Sequence, residues 1–334
     1  VYILQRILHS SSYSFFLIRV FLIVVIGFEF FFARIPAKQP QILDQSFSKN
    51  LFYSNKHFGH QMEAGQKGVL HTAIAKGDTV YSVLYCTDAF SRRVACTPDT
   101  NKLNSDHHAF FVGCSFTFGH GVNYEATIPA LFQAKSPNYW PANLGCNGYG
   151  PHQNLMDIHL NLKEITNQKL FPDKGFMLYS FIDDHLNRVY SDIASQEIKF
   201  DKNGGWTLTK KWNWRKFIIW LNNNSRSMQY FKVRIAHPQT QGYYRYFAGI
   251  INAMASEYHR YYPENTFYVG YFPGSVKDTA WVKFCKPSVK FIKTNPPPDF
   301  ESNFYNYHLR YDLHPQKKMN EYSINSLIKN IHSK

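Results

Sequence analysis

Residues 110–123 read FFVGCSFTFGHGVN. An apolar run of strand character stops at Gly113, and Cys114 and Ser115 follow before a second glycine-containing turn. A small hydroxyl residue where a buried strand ends is either a helix cap or the reactive atom of an enzyme. The run is the first of five apolar runs of strand length: AFFVG (109–113), PANLGC (141–146), GFMLYSFI (175–182), NTFYVGYF (265–272) and SVKFIKT (288–294). Between them lie the helix-like stretches TIPALFQAK, GYGPHQNLMDIHLNLKEITN and GYYRYFAGIINAMASEYHRYY. In the final PQKKMNEYSINSLIKNI, Met319, Tyr322, Leu327 and Ile331 recur at helical spacing. Strands alternating with helices predict a parallel sheet covered on both faces, with ligands bound beyond the C-terminal strand ends. Residues 195–240, rich in Trp, Lys and Asn, read as an insertion between the third and fourth strands.

The 334 residues are 44% hydrophobic and 18% charged, a composition that builds a core without staples. The 23 Tyr and 29 Phe fill that core first. The net charge of +14 is spread along the chain. Pairs such as Arg92-Arg93 and Lys210-Lys211 read as solvated turns, and the absence of a basic run argues against nucleic acid as a partner. Five cysteines show no CxxC or other metal spacing, so no metal and no cofactor are expected. An oxidising compartment permits Cys86–Cys96 or Cys114–Cys146, but buried free thiols are the simpler reading.

The chain divides on this reading into three parts. Residues 1–40 hold SFFLIRVFLIVVIGFEFFFA (14–33), a signal anchor or transmembrane segment with a linker after it. A membrane is thus expected as a partner, and the rest of the chain is expected membrane-anchored or exported, in the periplasm or at the cell surface. Residues 41–106 form a small β-rich module, in which Val80, Val83 and Tyr85 of TVYSVLYCTD mark the apolar side. Residues 107–334 form the α/β domain.

Each strand end of that domain carries polar chemistry. The first ends at Gly113-Cys114-Ser115, the second at NLGCNGYG (143–150) and the third at FIDDHLNR (181–188). RYDLHP (310–315) precedes the last helix. Asp312 and His314, two apart, project to the same side of an extended segment. Pro315 keeps His314 out of helical conformation and suits the first position of the helix that follows. Ser115, Asp312 and His314 satisfy the residue requirement for nucleophilic acyl transfer: the imidazole takes the serine proton and the carboxylate fixes its tautomer.

These blocks resemble the SGNH/GDSL hydrolase superfamily over roughly 109–332, in its bacterial branch marked by SFTFG. Gly113-Cys114-Ser115 matches the first block with Cys in the usual Asp place, and GCSFTFGHGV followed by TIPALF matches the branch. Asn143, Gly145 and Gly148 match the second block, and GYG with Gln153 adds to it. The last block is Asp-x-His, through Asp312 and His314, in place of the commoner Asp-x-x-His; this variant looks like that of O-acetyltransferase-type members that modify exopolysaccharides. The family often places an Asn donor after the third strand, where this chain has Asp183 and Asp184. An ionised carboxylate donates no hydrogen bond. The backbone N–H groups of Ser115 and Gly148, with Asn147 or Asn187 as further donors, are the alternatives to Asp183 for the oxyanion hole. The resemblance implies a three-layer αβα fold with a flavodoxin-like parallel sheet, preceded here by the β-rich module. The function it implies is a serine esterase using a Ser-His-Asp triad on small acyl (acetyl) esters, including those of a glycan. Two rival readings are an O-acyltransferase that modifies an extracytoplasmic polysaccharide and an inactive carbohydrate-binding module.

Overall fold

The computed structural model describes residues 43–55, 59–97, 105–189, 197–201, 205–209 and 240–332, with scattered residues between 24 and 31 and between 218 and 231. In chain order the strands are β1 (Asp44–Phe47), β2 (Phe52–Asn55), β3 (Gly59–Met62), β4 (Val69–Ala75), β5 (Asp78–Thr87), β6 (Arg93–Val94), β7 (His107–Gly113), β8 (Tyr139–Gly145), β9 (Lys174–Phe181), β10 (Glu197–Phe200), β11 (Trp206–Thr209), β12 (Thr266–Tyr271) and β13 (Val289–Ile292). The helices are α1 (Ser115–Phe118), α2 (Ile128–Lys135), α3 (Pro151–Asn167), α4 (Asp184–Arg188), α5 (Arg226–Phe231), α6 (Gln241–Tyr261), α7 (Phe304–Tyr307) and α8 (Lys317–His332).

The period-two alternation of AFFVG decides the layers. Phe110 and Val112 point to one face, where they pack with Leu155 and Ile158 of α3, Phe247 and Ile251 of α6, and Trp281. Ala109 and Phe111 point to the other, against Leu131 and Phe132 of α2 and Met319, Ile324 and Leu327 of α8. Both faces of the strand are dry, which is why the run is continuously apolar. The five predicted strands lie side by side as β8-β7-β9-β12-β13, all parallel. That is the flavodoxin-like order 2-1-3-4-5, within a three-layer αβα arrangement.

The strands before residue 107 extend this sheet. β6 pairs with β8 antiparallel, and β5, β4 and β1 continue outward in the order β1-β4-β5-β6-β8. Residues 41–212 and 239–334 form one compact unit, and the expected boundary at 106/107 falls inside it. Tyr81, Val83 and Tyr85 face inward, packing with Val69, Ala73 and Phe118 of α1. The alternation therefore includes Tyr81 where the sequence reading had Val80. Cys86 and Cys96 form a disulfide with a Cα–Cα distance of 5.2 Å, correcting the free-thiol reading for that pair; Cys114 and Cys146 are buried free thiols.

The second unit comprises residues 1–40 and 213–238. In it the Glu29 carboxylate accepts the N–H of Arg226 (2.8 Å) and the hydroxyl of Ser225 (2.6 Å) at the start of α5, a favourable end of a helix for a negative charge. Most of the expected membrane segment 14–33 lies outside the described residues. Among the described residues no helix is long and apolar enough to cross a membrane.

The junction of β8 and α1 is close-packed to backbone contact. A Cβ on Gly145 would stand 2.5 Å from the Phe118 nitrogen and 2.8 Å from Thr117 Cβ. Gly145→Ala is expected to push α1 away from the sheet, lower stability by about 1–3 kcal/mol, and cut any activity that depends on Ser115 more than a surface mutation of equal cost would. Chemical denaturation and rate measurements on the same preparation check this.

Candidate active site

Ser115 is the first residue of α1, directly beyond the carboxyl end of β7, and is 6% exposed. α1 is a single turn, too short to hold its own direction, so its carbonyl end is clamped by side chains. The buried Arg93 guanidinium donates to the carbonyls of Phe118 (2.8 Å), Gly119 (2.5 Å) and Val122 (2.6 Å). Its planar head lies between the rings of Tyr85 and Phe118, at 4.5 and 4.8 Å. Burial pushes Arg93 down to about 10, which leaves it charged at neutral pH. The Asn143 amide donates to the carbonyls of Thr117 (3.2 Å) and Phe118 (3.3 Å), and its oxygen accepts the Gly145 N–H. Asn143 and Gly145 thus serve the placement of α1.

Asp312 and His314 come from the loop between α7 and α8. The loop is closed by a bridge between His308 and Pro315 and by the Leu309 N–H donating to the His314 carbonyl at 2.8 Å. Tyr311 and Leu313 both adopt left-handed conformations, φ 68° and 66°. The segment is therefore not extended, as its spacing had implied. Two residues in a region disfavoured for side chains bring Asp312 and His314 to bear on each other. Pro315 lies in the bridge, and α8 begins at Lys317.

The structure brings Ser115, His314 and Asp312 together across 199 residues of chain. His314 Nε2 is 2.8 Å from Ser115 Oγ, and its Nδ1 bonds Asp312 Oδ1. The Asp312 side chain is 4% exposed and that of His314 23%. Burial, the largest influence, pushes the Asp312 carboxyl up; hydrogen bonds from His120 and His314 outweigh it and hold the group well below the ordinary carboxylate range. Asp312 is therefore ionised and His314 is held in the tautomer whose Nε2 accepts from the Ser115 hydroxyl. A cleft of about 300 Å³ opens here, bordered by Phe116, Ile182, Ser275, Leu313 and His314.

The expected donors separate. Ser115 stands at the amino end of α1, and Gly148 sits in a left-handed turn (φ 76°) after β8, so both offer backbone N–H groups at adjacent strand ends. The Asn147 side chain points to His120, with Nδ2 2.8 Å from His120 Nδ1. Asn187 is exposed on α4. Asp183 borders the cleft, but its carboxylate accepts the N–H groups of Lys277 (2.7 Å) and Asp278 (3.2 Å), fixing the loop after β12. Asp184 pairs with Arg188 at 2.7 Å.

Sequence reasoning missed His120, Tyr81 and His71. His120 Nε2 is 3.5 Å from Asp312 Oδ2 and 2.8 Å from the Tyr81 hydroxyl, and His71 Nε2 is 3.4 Å from that hydroxyl. Burial pushes His71 down to about 4, keeping it neutral. The one signal in the chain was a histidine within FGHG, five residues after Ser115.

No family model matches the chain. No curated protein sequence matches it. Among solved structures it is similar to an acetyl xylan esterase from the rumen bacterium Butyrivibrio proteoclasticus, at 10% identity over 82% of this chain and 72% of that one, TM-score 0.39. A second is a family two carbohydrate esterase from Clostridium thermocellum in complex with cellohexaose, at 11% identity over 79% and 82%, TM-score 0.40. A third is a member of the lipolytic protein G-D-S-L family from Veillonella parvula, at 10% identity over 67% and 97%, TM-score 0.37.

Because Asp183 accepts two backbone N–H groups, Asp183→Asn puts an amide NH₂ against one of them. The expected outcome is a loss of about 1–3 kcal/mol in stability with no gain in rate. A rate increase on an activated ester, with unchanged melting, would assign Asp183 to the oxyanion instead.

Proposed function

We propose that this chain is a serine ester hydrolase of the SGNH/GDSL type that acts on small acyl esters, acetyl esters of a glycan among them. The observation that carries the reading is the 2.8 Å contact between Ser115 Oγ and His314 Nε2, with His314 Nδ1 held by a buried, ionised Asp312. In the acylation step His314 takes the Ser115 proton as Oγ attacks the ester carbon, and Asp312 stabilises the imidazolium. The tetrahedral oxyanion is received by the backbone N–H groups of Ser115 and Gly148. The imidazolium then protonates the departing alkoxide. In the second step His314 activates a water, which attacks the acyl-serine and releases the acid. A cleft of about 300 Å³ suits a short acyl group better than a long chain.

Ser115→Ala is expected to lower hydrolysis of p-nitrophenyl acetate at least about 10³-fold while melting shifts by less than the equivalent of about 1 kcal/mol. An unchanged rate on clean protein ends the nucleophile assignment. Running the assay with and without a glycan acceptor separates hydrolysis from acyl transfer.

We further propose that the chain works outside the cytoplasm, held or exported through residues 14–33. The Cys86–Cys96 disulfide supports this, since such bonds persist in oxidising compartments. Fractionation of cells expressing the tagged chain, with thiol alkylation before lysis, is expected to recover it in the membrane or exported fraction with both cysteines protected. Recovery in the cytosol with both alkylated counts against it.

A further inference from the structure

A second imidazole reaches the carboxylate that holds His314. His120 lies in the turn after α1, and its ring centroid is 4.4 Å from that of His314. Asn147 Nδ2 is 2.8 Å from His120 Nδ1, and the Asn147 backbone carbonyl accepts from His60 Nε2 at 2.6 Å. An amide NH₂ group only donates, so Nδ1 accepts and the ring proton sits on Nε2. That proton faces the Tyr81 hydroxyl at 2.8 Å and Asp312 Oδ2 at 3.5 Å. The Asp312 charge also bears on the Tyr81 hydroxyl. The donors therefore run one way: from Asn147 to His120, and from the His120 Nε2–H toward the Tyr81 hydroxyl and Asp312 Oδ2.

We propose that His120, steadied by the Tyr81 hydroxyl, is a positioning residue for the reaction, holding the Asp312 carboxylate at its second oxygen and sharing its negative charge with His314. Oδ1 of Asp312 takes His314 Nδ1 and, at 3.3 Å, the His314 backbone N–H. Without a partner on Oδ2 the carboxylate is free to turn about its last torsion, and with it the direction in which Nε2 addresses Ser115. The groups that face His120 are His71 of β4, Tyr81 of β5, Arg93 of β6, Asn147 after β8, and Asp312 and His314 of the loop before α8. Burial is the largest influence on His120 and pushes it below its ordinary value against the pull of Asp312, so the ring is a neutral donor at pH 7. Burial first, and Asp312 after it, push Tyr81 up, so its hydroxyl keeps its proton.

The kinetic arm of the test rests on the ester-hydrolase reading; the spectroscopic arm does not. The wild type is compared with His120→Ala, His120→Gln and Tyr81→Phe. For p-nitrophenyl acetate, kcat is expected to fall about tenfold in His120→Ala and Tyr81→Phe, with KM within about twofold, the scale of one oriented hydrogen bond to a charged group. The acid limb of the rate profile moves to higher pH. The sign follows from one effect: relieved of the donor on its second oxygen, Asp312 offers its undivided charge to the His314 imidazolium. His120→Gln returns an amide donor and recovers most of the loss. In resting protein, histidine ring ¹⁵N NMR is expected to show the His314 titration curve moving the same way in both variants. If His120→Ala does not fold, Tyr81→Phe, which removes only an oxygen, carries the same two readouts. A ring titration that stays put overturns the proposal whether or not the rate falls, because a packing role would lower the rate without moving it. A rate that survives Ser115→Ala removes the hydrolase reading while the ring titration still decides this one.

Discussion

Everything at the site depends on how a single helical turn is held at the carboxyl end of β7. Four residues of helix have no rigidity of their own, because nucleating a turn fixes several torsions for very few hydrogen bonds. Here the turn is gripped from outside. Arg93, wholly enclosed, places its guanidinium on the carbonyl of Phe118 at the far end of α1 and on those of Gly119 and Val122 in the turn that follows, and Asn143 holds the carbonyls of Thr117 and Phe118 from the neighbouring strand. Gly145 lets the backbone of β8 touch the turn. Burying a guanidinium is costly unless its donors are met; three short bonds to backbone carbonyls and two aromatic faces offset most of that cost, while Nε makes no hydrogen bond among the described residues.

Arg93 stands on β6, the strand that ties the β-rich N-terminal portion to the parallel sheet. This explains why the first part of the compact unit is built as an extension of the sheet. It brings β6 over the end of α1, and it brings β4 and β5 over the turn that follows. His71 and Tyr81 then pack edge-on against His120, and the Tyr85 hydroxyl accepts the N–H of Gly121 beside it. The polar groups in this wall are buried, and most engage one another, as groups at low dielectric must.

The loop of Asp312 and His314 contributes the opposite kind of constraint. Tyr311 and Leu313 hold left-handed conformations at some cost, and the bonds that close the loop on β-bridge geometry keep them there. Strain of this kind persists only where surrounding contacts over-determine the backbone, and α8, anchored by Met319 and Leu327 in the core, supplies such contacts immediately after it. A rigid turn thus meets a rigid loop, and Ser115 meets His314 without either side chain being free to wander.

What the sequence by itself determined is what local pattern encodes. The five apolar runs, the helices between them and the serine at the end of the first strand were legible because burial on two faces imposes period and length on consecutive residues. Asp312 and His314 were legible by residue type and order along the chain, but not in geometry, since the segment expected to be extended holds two left-handed residues. The tertiary structure alone decided the rest. Nothing local distinguishes a cysteine that pairs from one that does not, so Cys86 with Cys96 waited on the fold. Asp183 reads as a misplaced donor until the N–H groups of Lys277 and Asp278, some 94 and 95 residues on, are seen to occupy it. His120, Tyr81 and Asp312 lie on three separate elements, and hydrogen-bond partnership across such distances is a property of how strands pair and loops close, which no spacing along the chain records.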